Sequence, residues 1–140
     1  KMKNIKAAVV GGGVTNHFEL IKNRPDMEAS VYAELIPNYG LKKEELLKAR
    51  SAVYWANKFP KTSPILLMHG GSDWRVQPAQ SLFLAMEFEK FGVPYRLIIY
   101  EGDDHGISNH KSESHQQAME WFERFVKNGE SPPETKHQEK

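Results

Sequence analysis

No cysteine occurs in the 140 residues, which excludes disulfides, thiolate catalysis and cysteine-ligated zinc but is neutral on cellular compartment. No apolar run approaches the roughly 18 residues a membrane-spanning helix needs. Charge of one sign is not in excess: 19 Lys and Arg stand against 18 Asp and Glu, a formal net charge of +1. With no basic cluster either, nucleic acid and membrane are not expected as partners. The pattern Gly-x-Ser-x-Gly is also absent. None of Ser30, Ser51, Ser63, Ser72, Ser81, Ser108, Ser112, Ser114 and Ser131 has a glycine both two residues before and two after it. A serine nucleophile on that kind of sharp strand-to-helix turn is therefore excluded within these residues.

What is present reads as one α/β domain or part of one. Hydrophobic content of 39% and charged content of 26% are ordinary for a globular chain of this length. Three short, nearly continuous apolar runs, Ile5 to Val10, Pro64 to Met68 and Tyr95 to Tyr100, fit strands buried on both faces of a parallel sheet. Between them the apolar spacing turns helical. Lys42 to Phe59 predicts one helix, with Leu46, Leu47, Val53 and Tyr54 at roughly helical intervals before Pro60. Ala79 to Phe91 predicts a second, stopped by Gly92 and Pro94. Ser112 to Lys127 predicts a third, with Ala118, Trp121, Phe122 and Phe125 on one face. Thr15 to Tyr39, broken by Pro25 and Pro37, is expected to hold one or two short helices. Residues 1–128 are expected to form the domain and 129–140 a polar, disordered tail. The first strand opens the chain with an unpaired apolar edge, so the sheet is expected to continue into another segment or another copy.

Chemistry-bearing residues gather at two strand ends. His69-Gly70-Gly71-Ser72-Asp73-Trp74-Arg75-Val76 follows the second strand, and Gly102-Asp103-Asp104-His105-Gly106 follows the third. An acid and a base on neighbouring loops, beyond the carboxyl ends of parallel strands, stand where open α/β sheets do their chemistry. Read alone, Asp73 is better explained as a turn residue and His105 as a solvated loop histidine.

The run HGGSDWRV, the later run GVPYRLIIYEGDDHG and the helix containing Trp121-Phe122-Glu123-Arg124-Phe125 resemble the C-terminal part of the prolyl oligopeptidase family of serine peptidases. The resemblance extends from about Ile5 to about Val126. It implies the C-terminal half of an α/β-hydrolase, a three-layer α/β/α arrangement on a short parallel sheet, acting on a peptide or small acyl substrate. It also implies that Asp73 is the triad acid and His105 the triad base. An imidazole must take the proton of a serine hydroxyl, and a carboxylate must hold that imidazole in the right tautomer. The nucleophile would then lie N-terminal to Lys1, and the missing half of the hydrolase, or a second copy, would pair with the strand at Ile5 to Val10. Arg75 and Val76 match family positions that contact the substrate backbone and line the pocket for the residue before the scissile bond. Trp74 is a candidate wall of that pocket or a cover for the sheet end.

Competing readings are weaker or narrower. His69-Gly70-Gly71 resembles the oxyanion motif of lipases, but that motif precedes the nucleophile, so here it reads as a tight strand exit. Gly11-Gly12-Gly13-Val14-Thr15-Asn16 is an incomplete dinucleotide fingerprint, since its third glycine is Asn16. His110 and His115 are five apart and do not share a helix face as a metal pair would. No cofactor and no metal are expected. Asp103 and Asp104 read as loop carboxylates. An esterase or dienelactone-type hydrolase shares the Asp-then-His order, and a non-catalytic module that self-associates or binds a peptide through its sheet edge is the remaining alternative.

Overall fold

The three apolar runs form one parallel sheet in the order β1 (Ala8–Gly11), β2 (Ile65–Gly70), β3 (Tyr95–Tyr100). The structure, a computed structural model, describes residues 5–135. Val9 lies opposite Leu66, and Leu66 opposite Arg96. All six residues of the central strand are buried, as expected of an unbroken apolar run with a neighbour on each side.

Alternation along β2 then builds two cores. Ile65 and Leu67 face α5 (Ala79–Phe91) and pack with Leu84, Ala85 and Phe88. Leu66 and Met68 face the opposite way and pack with Trp121 and Phe125. Trp121 ends on α6 (Lys111–Phe122), which runs on into a single π-helical turn, Glu123–Lys127. Helices thus cover both faces, giving the expected three layers. A third cluster, Leu20, Tyr32, Tyr39, Leu47 and Val76, joins α1 (His17–Asn23) and α4 (Tyr39–Arg50) to the loop after β2. Between α1 and α4 the chain makes α2 (Pro25–Met27), a π-helical turn (Glu28–Tyr32) and α3 (Ala33–Leu35).

Several sequence expectations need correction. The helix predicted over Lys42 to Phe59 ends at Arg50 and gives way to two 3₁₀ turns, Ala52–Tyr54 and Ala56–Lys58. Ser51 takes an extended backbone, and its hydroxyl donates to Leu47 O (2.8 Å) while accepting from His17 N (2.9 Å). Val53 N then donates to Thr15 O (3.2 Å). Bonds to the segment after β1 replace helical ones, in a stretch (Val53, Tyr54, Trp55) whose residue types are indifferent helix formers. β1 starts at Ala8 rather than Ile5, and β2 continues past Met68 through His69 and Gly70. Phe122 is 39% exposed, because one helical step turns it away from the face that buries Trp121 and, a turn later, Phe125. Residues 129–135 carry no regular secondary structure, although Thr135 Oγ1 donates to Gly92 O (3.2 Å); the rest of the expected tail, 136–140, lies outside the described residues.

Candidate active site

The loops leaving β2 and β3 are fastened to each other by backbone hydrogen bonds. Gly71 N donates to Tyr100 O (2.7 Å) and Ser72 N to Asp103 O (2.8 Å). At Gly70 the approach is closest: a Cβ there would lie 2.0 Å from Asp104 O and 2.6 Å from Asp103 O. Only a residue without a side chain lets the two strand exits meet.

Across this junction Asp73 and His105 come together. The His105 imidazole donates from Nδ1 to Asp73 Oδ2 at 2.8 Å. The Asp73 side chain is fully buried, whereas that of His105 is 41% exposed. Asp73 also builds its own turn. Its Oδ1 accepts from Arg75 N and Val76 N, both at 2.9 Å. One Asp73 oxygen thus serves the turn and the other faces the imidazole. His105 also packs on the β1 exit, since a Cβ on Gly12 would sit 3.1 Å from its Cε1.

A third residue belongs to the cluster, one that the sequence presents only as part of a strand exit. His69 is completely buried, with Nε2 3.1 Å from Asp73 Oδ2 and 2.7 Å from Val76 O, and Nδ1 2.7 Å from Ser81 Oγ. Both partners of Nε2 are acceptors, so Nε2 carries a proton, and in the neutral ring Nδ1 accepts from the Ser81 hydroxyl. Asp73 Oδ2 is thus shared by two histidines, one buried in the strand and one facing out. The four-residue spacing of His69 and Asp73 was visible in the sequence. What hid its meaning was the strand boundary, because with β2 ending at Met68 His69 falls outside the sheet.

Of the remaining candidates, Val76 is buried (8% exposed) and Trp74 is exposed (69%). Together with Val14, Leu20, Met27 and Tyr32 they line a cavity of about 360 Å³, to which Arg24 and Arg75 also contribute. The guanidinium carbons of Arg24 and Arg75 lie 5.2 Å and 5.6 Å from the centre of the Trp74 ring. Arg24 is itself held by Asp26 (2.8 and 2.6 Å). The structure brings Trp74, Arg75 and Val76 to one cavity wall beside the Asp73 turn. Among the described residues no group of three or more His, Cys, Asp or Glu is arranged to hold a metal ion. No helix among them is long and apolar enough to cross a membrane.

Residues 5–129 match the model of the prolyl oligopeptidase family. The chain belongs to that family. Among its relatives, a dipeptidyl peptidase family member 6 of Caenorhabditis elegans is 27% identical over 111 residues, covering 79% of this chain and 14% of the relative. In structure the chain resembles an acylaminoacyl peptidase of Pyrococcus horikoshii, with a TM-score of 0.74 and 23% identity over 96% of this chain and 22% of the other. A puromycin-hydrolyzing peptidase of Mycobacterium tuberculosis gives a TM-score of 0.73 and 22% identity over 92% of this chain and 20% of the other. These likenesses show the α/β-hydrolase fold, of which the parallel sheet and its flanking helices are a portion. The chain spans about a seventh to a fifth of the lengths of these relatives.

Proposed function

We propose that this chain supplies the acid and the base of a serine peptidase that cleaves peptide bonds through an acyl-enzyme. His105 removes the proton of a serine hydroxyl through Nε2 and then returns it to the leaving amine. Asp73 holds the imidazole with Nδ1 protonated and stabilises its cation. The observation that carries this reading is the 2.8 Å contact between His105 Nδ1 and a fully buried carboxylate, on an imidazole otherwise 41% exposed. Nε2 makes no hydrogen bond among the described residues. A buried acid behind a half-exposed base is the polarity that general-base chemistry on a bound substrate requires.

The cavity beside Asp73 suits an apolar substrate side chain, with Val76 and Trp74 as wall and the Arg75 guanidinium beside the substrate backbone. The nucleophile lies outside these 140 residues, since no serine here has the glycine flanks of a nucleophile elbow. β1, which hydrogen-bonds only β2 among the described residues, offers its other edge to the segment that carries that serine.

The test is intact-mass analysis after exposure to a fluorophosphonate. The 140-residue chain is expected to remain unmodified. The same chain extended through its upstream reading frame is expected to gain one adduct, lost on His105→Ala. A stoichiometric adduct on a serine of the 140-residue chain itself, dependent on His105, overturns the assignment.

A further inference from the structure

The loop that presents His105 is closed by a second carboxylate–imidazole pair. Asp103 is completely buried, and its carboxylate accepts four hydrogen bonds: from Asp104 N (2.9 Å), Asn109 N (3.1 Å), His110 N (3.0 Å) and His110 Nδ1 (2.8 Å). One side chain therefore ties the start of the loop to its end. Inside that ring Asp104 closes a smaller turn, accepting from Gly106 N (2.9 Å), Ser108 N (3.1 Å) and Ser108 Oγ (2.9 Å). Between them stands Ile107, a β-branched residue at φ 52° and 6% exposed. That conformation is strained for such a side chain and persists only where its surroundings impose it. His110 is stacked on Tyr100, with ring centres 5.0 Å apart.

We propose that Asp103 and His110 are a positioning pair that holds the strained 103–110 loop in the one conformation placing His105 Nδ1 on Asp73 Oδ2. Neither residue hydrogen-bonds His105 or Asp73. The pair acts through the backbone it ties, and the Asp103 carbonyl extends the hold by accepting from Ser72 N next to Asp73 (2.8 Å). Electrostatics favour the closed ring. Burial pushes the Asp103 carboxyl up, but the hydrogen bonds from Asn109 N and the His110 ring, with those from Asp104 N and His110 N, outweigh it and bring its pKa down to about 2. The bond to Asp103 raises the pKa of His110, against some desolvation, with Glu101 and Glu113 adding to the rise. The catalytic meaning of this positioning rests on His105 being the triad base. The positioning itself is readable without any catalysis.

The experiment is histidine-detected NMR of the 140-residue chain, following the low-field proton on His105 Nδ1, assigned by its loss in Asp73→Asn. Removing the donor with His110→Ala is expected to speed solvent exchange of that proton at least tenfold, while the amides of Leu66 to Met68 stay protected. His110→Asn places an amide nitrogen where Nδ1 stood and is expected to restore slow exchange. His110→Gln places its nitrogen where Nε2 stood and is not. If His110→Ala does not fold, the Asn and Gln variants decide between themselves. Unchanged exchange in both Ala and Gln variants overturns the proposal. Fast exchange in the Asn variant also overturns it, because stacking on Tyr100 rather than the bond to Asp103 would then hold the loop. Since nothing here depends on activity, its failure is distinct from failure of the peptidase reading.

Discussion

Gly70 meets the backbone of Asp104 so closely that a methyl group on its Cα would lie 2.0 Å from the Asp104 carbonyl oxygen. The contact joins the exit of β2, which leads to Asp73, to the exit of β3, which leads to His105. These exits carry the two side chains that meet at 2.8 Å. Gly70→Ala is therefore expected to separate the loops and to destabilise the fold by about 1–3 kcal/mol, as overpacking does. Urea unfolding together with the His105 Nδ1 proton checks both parts. A variant that loses stability but keeps the low-field proton would show that the loops move together.

Asp73 has two separable tasks, and two substitutions separate them. Asp73→Asn keeps an oxygen for Arg75 N and Val76 N but offers no carboxylate to His105. Its stability is expected to stay within about 2 kcal/mol of the parent, while activity in a nucleophile-containing version falls by about 10⁴-fold. Asp73→Ala removes the turn acceptor as well and is expected to be the less stable of the two. Denaturant midpoints and kcat on a peptide substrate test the split.

His69 reaches three partners from a fully buried position. His69→Ala removes the ring and strands Ser81 Oγ and Val76 O, so a loss of about 2–5 kcal/mol is expected from cavity and unpaired groups together. His69→Gln keeps one polar end near Nε2 and is expected to recover part of that loss. Equal stability of the two variants would show that packing volume alone matters at this position.

The Asp103–His110 pair makes a pH signature with two limbs. The Asp103 carboxyl is depressed from 3.8 to about 2 in the fold, so its stabilisation is present above pH 3.8 and lost as pH falls towards 2. The His110 imidazole is raised above 6.5, so its stabilisation is full below pH 6.5 and lost as pH rises through the folded value. The stability gap between the parent chain and His110→Ala is expected to be widest between about pH 4 and 6.5 and to narrow on both sides. Urea midpoints at pH values from well below that range to well above it measure it. A gap independent of pH would assign the role of His110 to its packing on Tyr100.

Much of this molecule was legible in local spacing. β3 and α5 have the bounds their apolar patterns predicted, and the continuous run in β2 announced a strand with both faces covered. The same reading placed Asp73 and His105 at adjacent strand exits, because residues following parallel neighbours emerge on one edge of the sheet. Periodicity reports which side of an element meets the core, and a residue's type reports what it is able to bond. Neither reports which distant group it finds. The end of α4 at Ser51 depends on His17, 34 positions away, and the Thr15 hydroxyl and amide both bond Gln80, 65 positions away. His69 became a member of the acid–base cluster only when β2 ran on to Gly70 and α5 brought Ser81 beneath it. The sequence by itself determined the layers, the strand ends and the chemistry available there. Tertiary structure decided which carboxylate serves which imidazole, since that choice turns on where buried hydrogen-bonding groups must find partners once water is excluded.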